Sequence, residues 1–386
     1  MKTRAAILWE PHTDWSVEDI ELDPPKKGEV LVKLAASGLC HSDEHMVTGD
    51  MVLDPAIAEA FGLSQFPVIG GHEGAGVIME IGPEVVGLEV GDHVVFSFIP
   101  SCGKCPSCST GKQQLCDLGA FLLGGKQLTD LTSRHHTKDG ADLGTMVALG
   151  TFAPYTVVSV DSCVKIEKHI PLDKAALVGC GVTTGWGSAT YAADVQSGET
   201  VAVIGLGGIG MSAVQGAAMA GARFVVAIDP VEWKREKALE LGATHTAASM
   251  ADAMPILSQI TYGAMADKAI LCLGLADGTH IAPMMALLKK AGRGVVTSVA
   301  NMMANDVQLN LFEFAMQRKE LVGCIFGNAN PRFDIPRLLA LYMDGKLKLD
   351  EMVTKEYTLD EINQGYQDMR DGKNIRGIIR FDDATV

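Results

Sequence analysis

Residues Thr200–Asp229, TVAVIGLGGIGMSAVQGAAMAGARFVVAID, decide the fold. The apolar run Val201–Ile204 has strand character, and Gly205, Gly207 and Gly210 follow it in G-x-G-x-x-G register. An Ala-rich helical segment comes next, opened by Gly208 and Ile209. A second apolar strand, Phe224–Ile228, then ends at Asp229. Each glycine answers a physical need: a tight turn, backbone approach to a pyrophosphate, and close packing of helix on strand. The free N–H groups at the start of the helix, and the positive end of its dipole, would face the phosphates. Asp229 lies nineteen residues beyond Gly210, where a carboxylate can hold a ribose 2′-hydroxyl and repel a 2′-phosphate. Three glycines alone could be a structural turn. Strand, helix, strand and acid in this order predict a bound NAD.

Away from this unit the chain changes character. Up to about Val160 it carries short β-type runs, Ala5–Leu8, Glu29–Ala35, Gly76–Ile81, His93–Phe98 and Thr156–Val160. Turn signals such as Pro24-Pro25, Gly82-Pro83 and Gly91-Asp92 separate them, which predicts an antiparallel, barrel-like β domain. From about Val182 strands alternate with longer helices, the mark of a parallel sheet. Later strands are expected at Lys268–Cys272, Gly294–Ser298 and Glu320–Cys324. The tail returns to helix, Ile335–Asp344 and Leu359–Arg370, and ends on a strand, Arg376–Phe381. The expected fold class is α/β: a Rossmann-type doubly wound parallel sheet (182–325) inserted into a discontinuous β-rich catalytic domain (1–181 and 326–386).

Composition narrows the function. A chain of 386 residues, 47% hydrophobic with 42 glycines, suits an α/β enzyme rather than a disordered protein. A formal net charge of −15 argues against nucleic acid and anionic membrane surfaces as partners. Met1–Glu10 shows no basic-then-apolar leader pattern, and the apolar runs fall short of the ~20 residues a membrane span needs. A cytoplasmic location is the expectation. In that compartment nine cysteines do not read as a disulfide framework.

Four of those cysteines, Cys102, Cys105, Cys108 and Cys116, form C-x2-C-x2-C-x7-C. Four thiolates on a short Gly/Pro-containing loop suit a closed, tetrahedral structural zinc site in a lobe spanning 102–116. An iron–sulfur cluster also takes four cysteines, but the companion motifs do not favour electron transfer. Three further candidates are dispersed. Cys40 lies in GLCHSDEH (38–45), His72 in GGHEG (70–74) and Cys180 in GCG (179–181). Singly, each could be a packed or hydrogen-bonded core residue. As a Cys2His set they leave one tetrahedral position open, which a catalytic zinc requires.

Together these motifs resemble the zinc-dependent alcohol dehydrogenases of the medium-chain dehydrogenase/reductase family. The resemblance covers nearly the whole chain: the four-cysteine lobe, GHE at 71–73, GCG at 179–181, the dinucleotide fingerprint and the ending IRGIIRF. It implies that Cys40, His72 and Cys180 hold a catalytic zinc, with Glu73 behind the ion and Asp43 orienting His72. It also implies a proton relay from Ser42 through the nicotinamide ribose to His45, an imidazole suited to exchange near neutral pH. His41 and Arg376 match positions touching the pyrophosphate, Lys234 one near the adenosine ribose, and Phe98 and Phe121 positions lining the substrate pocket. Cys163, Cys272 and Cys324 read as small buried hydrophobes.

The segment Asp50–Phe66 departs from the liver-type members by its length; Ile57, Phe61 and Leu63 predict a short amphipathic helix after Pro55. With this insertion, FSFIP at 96–100 and TGWGSA at 184–189, the chain is most similar to one branch. Those are the nicotinoprotein alcohol dehydrogenases assayed with N,N-dimethyl-4-nitrosoaniline and associated with the redox cofactor mycofactocin. The expected activity is oxidation of primary, aryl or allyl alcohols to aldehydes, with two zinc ions and a permanently held NAD regenerated by an external acceptor. A thiol-dependent formaldehyde dehydrogenase is the enzymatic alternative, and a non-catalytic NAD-binding structural or redox-sensing protein the other. A homo-dimer or homo-tetramer is expected, joined through edge strands around Val295–Ala300 and Glu320–Phe326.

Overall fold

A computed structural model describes residues 1–60 and 64–381. The chain divides into two compact units, Met1–Cys180 with the chain from Asn330 onward, and Gly181–Ala329. Among the described residues no helix is long and apolar enough to cross a membrane.

Up to Cys180 the strands are β1 (Lys2–Leu8), β2 (Ser16–Leu22), β3 (Glu29–Gly38), β4 (Val68–Ile69), β5 (Glu73–Ile81), β6 (His93–Phe96), β7 (His135–His136), β8 (Asp142–Thr145), β9 (Tyr155–Ser159) and β10 (Cys163–Ile166). Strands β1, β2, β7, β8 and β4 close into a small barrel, filled by Ile7, Ile20, Ile69 and Leu143. β2 is not among the expected strands, because SVEDIEL reads as a charged surface segment. Antiparallel pairing with β1, from Lys2↔Glu21 to Ile7↔Ser16, makes it one. The longest strand of the unit, β3, pairs with both β5 and β9. Its apolar run is buried on both faces, so it lacks the alternation of a half-exposed strand.

The second unit holds β11 (Thr200–Ile204), β12 (Phe224–Ile228), β13 (His245–Ala247), β14 (Ala266–Leu271), β15 (Leu275–Ala276), β16 (Leu288–Val296), β17 (Val299–Ala300) and β18 (Glu320–Gly323). Six of these form a parallel sheet in the order β13-β12-β11-β14-β16-β18, while β15 and β17 pair separately. All five residues of β11 are buried, as a central parallel strand covered on both faces requires. The helix Gly208–Met219 packs closely on the helix Gly181–Gly187 because small residues face each other. A Cβ on Gly185 would lie 2.0 Å from the Ile209 carbonyl oxygen.

The expected edge around Val295 needs correction. β16 is interior, paired with β14 on one side and β18 on the other. The terminal strand of that sheet is β18, while β17, in the same expected stretch Val295–Ala300, pairs only with β15 among the described residues and is an edge strand.

Beyond Asn330 the chain adds the helix Pro331–Met343, β19 (Val353–Tyr357), the helix Ile362–Arg370 and β20 (Arg376–Arg380). β20 completes the first unit's large sheet by pairing with β3. A helix does start at Pro55 and runs to Ala60, with Ile57 exposed. Phe61 and Leu63 lie outside the described residues. The base of this insertion is clamped by buried Gln65, which accepts from Leu53 N–H (2.9 Å) and donates to the Met51 carbonyl (2.9 Å).

Candidate active site

Strand register builds the dispersed cluster. Gly38 at the end of β3 pairs with Glu73 at the start of β5. Cys40, two residues beyond Gly38, and His72, one before Glu73, therefore emerge at the same end of adjacent antiparallel strands. Cys180 follows a short 3-10 turn, Ala176–Gly179. That turn lies so close to β6 that a Cβ on Gly179 would sit 2.2 Å from the Phe96 carbonyl oxygen. One ligand atom each from Cys40, His72, Glu73 and Cys180 lies within 4.8 Å of the others, all buried.

His72 Nδ1 is 3.0 Å from Asp43 Oδ2, and Asp43 Oδ1 accepts from Gly71 N–H at 2.8 Å. Asp43 is thus pinned by backbone and in turn fixes the imidazole. His72 Nε2 is buried and makes no hydrogen bond among the described residues. A hydrogen bond from Cys180 and the nearby charges of His72 and Arg376 pull the Cys40 thiol well below its ordinary pKa, against burial. The same bond, with burial, pushes Cys180 well above its own. Burial works to lower the His72 pKa, but Asp43 and Cys40 outweigh it and raise it. A buried imidazole oriented by Asp43, beside two thiols sharing a proton, is a donor set that fits a divalent, borderline-soft cation.

Around the cluster, Ser42 Oγ is 3.8 Å from Cys40 Sγ. Phe98 meets the His72 ring edge-on, centroids 6.0 Å apart. His45 is buried, with Nδ1 3.8 Å from Asp50 Oδ2; His41 is exposed, its ring 6.4 Å from that of His45. Phe121 is exposed on the segment Asp117–Gly124. Arg376 is buried and ion-paired with the fully buried Glu73. Because Ile378 pairs with Gly38, Arg376 falls beside Cys40. No local spacing announces this pair, since 303 residues separate its members.

Local sequence also gave no sign of the helix Ile362–Arg370 as a brace. Tyr366 reaches the Cys40 carbonyl at 3.5 Å, and Arg370 Nη1 donates to Glu44 Oε1 at 2.7 Å.

The four-cysteine lobe is built from its own backbone. Cys105 N–H points at Cys102 Sγ and Cys108 N–H at Cys105 Sγ, both at 3.4 Å, while Cys102 N–H points at Cys116 Sγ at 3.5 Å. The four sulfurs lie within 4.8 Å of one another. Backbone N–H groups of Asp117 and Cys108 hold Cys105 down at about 7, whereas burial pushes Cys116 up to about 12. N–H groups aimed at sulfur stabilise thiolates, and four thiolates at this spacing repel each other unless a cation sits among them. Cys108→Ser should release one zinc per chain and lower the melting temperature by several degrees, since structural zinc contributes folding free energy directly. An unchanged melting curve would remove the structural role.

In the second unit the glycines of the loop differ in their surroundings. Gly205 has φ +88°, and a Cβ there would lie 2.8 Å from the Cys272 carbonyl oxygen. A Cβ on Gly210 would strike the Gly205 carbonyl. At Gly207 nothing among the described residues lies within 4 Å of such a Cβ, so this position faces open space. Both oxygens of Asp229 are held by backbone, Oδ2 by Leu206 N–H (2.8 Å) and Oδ1 by Val231 N–H (2.9 Å). Lys234 is partly desolvated, which lowers its pKa against the pull of Asp229. Cys163 and Cys272 are buried as expected, but Cys324 is only half-buried, being tied into a polar network at the end of β18.

Two metal-donor clusters on a β-rich unit and a dinucleotide-type parallel sheet define the class. The alcohol dehydrogenase GroES-like domain matches residues 26–168 and the zinc-binding dehydrogenase domain residues 208–343. The chain belongs to the zinc-binding alcohol dehydrogenases. It is 49% identical over 383 residues to alcohol dehydrogenase B of Mycobacterium tuberculosis, covering 99% of each chain. It is also 49% identical over 379 residues to the NDMA-dependent alcohol dehydrogenase of Amycolatopsis methanolica, covering 98% of this chain and 99% of that one. Its fold is similar to that of benzyl alcohol dehydrogenase from Acinetobacter calcoaceticus, with a TM-score of 0.85 and 29% identity over 99% of this chain and 100% of that one.

Proposed function

We propose that the protein oxidises primary, aryl or allyl alcohols to aldehydes with NAD as hydride acceptor, and that NAD stays bound and is regenerated in place by an external acceptor. The observation that carries the chemistry is the cluster of two thiols and one imidazole, oriented by Asp43 and buried beside Phe98. Cys40, His72 and Cys180 would hold a zinc ion there, which would supply Lewis acidity that favours loss of the alcohol proton, and NAD would supply the hydride acceptor.

The chain's own residues do the rest. Asp43 keeps His72 in the tautomer whose Nε2 lone pair is free for the metal. Glu73, neutralised by Arg376, keeps a carboxylate near the ion without presenting a full unpaired charge. Ser42 accepts the alcohol proton, and His45 passes it to solvent. Phe98 walls off water on the imidazole side. Gly207 leaves room for the pyrophosphate, the backbone-held carboxylate of Asp229 takes the ribose hydroxyls, and Lys234, His41 and Arg376, the last while paired with Glu73, contact the dinucleotide. The similarity to NDMA-dependent and benzyl alcohol dehydrogenases supports the retained cofactor and an aryl substrate, with a mycofactocin-type redox cofactor as electron acceptor. The enzyme works in the cytoplasm as a homo-oligomer, its contact built on β18 and the helix Leu311–Met316, where Leu311 and Phe312 are 74% and 77% exposed.

Purified protein should carry stoichiometric NAD(H) through gel filtration, and benzyl alcohol should raise the reduced-nicotinamide absorbance without added cofactor. A cofactor-free preparation that turns over only with added NAD would overturn retention.

A further inference from the structure

A hydroxyl at the centre of the second unit has all its hydrogen-bonding capacity used. Ser188 is fully buried, in the π-helical turn Ser188–Ala192 that continues the helix Gly181–Gly187. Its Oγ donates to the Thr184 carbonyl at 2.6 Å. It also lies 2.8 Å from Thr297 Oγ1 and 3.4 Å from Cys324 Sγ. A serine hydroxyl has one proton and two acceptor positions. With its proton committed to Thr184, it accepts from both Thr297 and Cys324. The Cys324 S–H is a weak donor that can supply the second of these bonds.

The two donors sit at the carboxyl ends of neighbouring strands, Thr297 directly after β16 and Cys324 directly after β18. Cys324 N–H also donates to the Val296 carbonyl at 3.0 Å. The backbone N–H groups of Gly327 and Asn328 also lie against the Cys324 sulfur, that of Asn328 donating to the Ile325 carbonyl at 2.9 Å. Those residues belong to an unfavourable turn: Phe326, Gly327 and Asn328 all have positive φ, +51°, +66° and +55°. Consecutive left-handed residues that are not all glycine persist only where their surroundings enforce them. Here the turn is pressed onto the helix Gly181–Gly187, for a Cβ on Gly327 would lie 2.6 Å from the Thr183 carbonyl oxygen.

Topology says what this arrangement serves. Ligands of open parallel sheets bind outside the carboxyl ends of the strands, at the point where strand order reverses. The order β13-β12-β11-β14-β16-β18 reverses between β11 and β14. The glycine loop after β11 and Asp229 after β12 account for pyrophosphate and adenosine ribose. The ends of β14, β16 and β18 remain for the other half of the dinucleotide. We propose that Ser188, Thr297 and Cys324 form a lock that holds the ends of β16 and β18 in the shape that receives the nicotinamide half, and that this preorganisation slows release of NAD. They are positioning residues, and the proposal builds on the retained-NAD function above.

The test uses the full chain with Thr297→Val, Cys324→Ala and Ser188→Ala, and Cys324→Ser as the conservative control. NAD(H) retained after gel filtration, zinc per chain and melting temperature are measured, followed by titration of stripped protein with NAD and with AMP. Removing one lock hydrogen bond is expected to weaken NAD binding about ten-fold, with AMP affinity and zinc content unchanged and Cys324→Ser close to wild type. Equal weakening of NAD and AMP would mean a general structural role, and unchanged NAD affinity in both Thr297→Val and Cys324→Ala would mean no lock; either overturns the proposal. Should Ser188→Ala fail to fold, the other two variants decide. A wild-type protein that loses its NAD on the column defeats retention, while the NAD-against-AMP titration still decides the lock.

Discussion

Cys40→Ala is expected to lower kcat/KM for alcohol oxidation by about a thousand-fold or more, because a Lewis-acidic ion contributes several kcal/mol and each ~1.4 kcal/mol is a factor of ten. Metal content should fall from about two zinc ions per chain to about one. The fold should survive, since Cys40 lies at the tip of β3 rather than in its ladder, and the Glu73–Arg376 pair beneath it remains. Near-normal turnover in a variant with only the lobe zinc would overturn metal-assisted oxidation at this cluster. A protein that loses both ions and its fold would instead make Cys40 structural. The comparison with Cys108→Ser sharpens the test: one variant should lose activity with little change in melting, the other should lose stability first.

The largest stability effect is expected far from that cluster, at Arg134. Its guanidinium is fully buried and grips the equally buried Glu29 through Nε–Oε2 (2.9 Å) and Nη2–Oε1 (2.7 Å). Arg134 Nη1 donates to the Ser133 carbonyl (2.9 Å), and Lys26 N–H to Glu29 Oε2 (2.9 Å). Thr129 Oγ1 also donates to Glu29. The pair joins the start of β3 to the loop before β7. Arg134→Leu strands a desolvated carboxylate and should cost about 3–5 kcal/mol, a fall of roughly 10 °C in the first unit's melting transition. The double variant Arg134→Leu, Glu29→Leu should recover most of the loss, because the penalty comes from an unpaired buried charge rather than from a missing attraction. A double variant as unstable as the single one would show that packing, not charge, sets the cost.

The chemistry-bearing residues were legible in sequence wherever they cluster along the chain. The lobe cysteines, the glycine loop and Asp229 each lie in one short segment whose residue types have few other uses. β11 and β12 were legible too, because strands buried on both faces are continuously apolar. β2 was not: its acids alternate with apolar residues over too short a stretch to outweigh its charge, and only pairing with β1 settles it.

By itself the sequence determined the family and pointed to the candidate donor residues and the glycine loop, since these rest on side-chain identity and local spacing. Only the tertiary structure decided what lies next to what. Strand register brings Cys40 against His72, and Arg376 against Glu73 across 303 residues. The helix Ile362–Arg370 braces Cys40 from behind. Ser188 gathers Thr297 and Cys324, a cysteine that reads in sequence as an inert buried residue. Hydrogen bonds and ion pairs depend on distances of a few ångströms between segments far apart in the chain, and no residue carries its partner's position in its own neighbourhood.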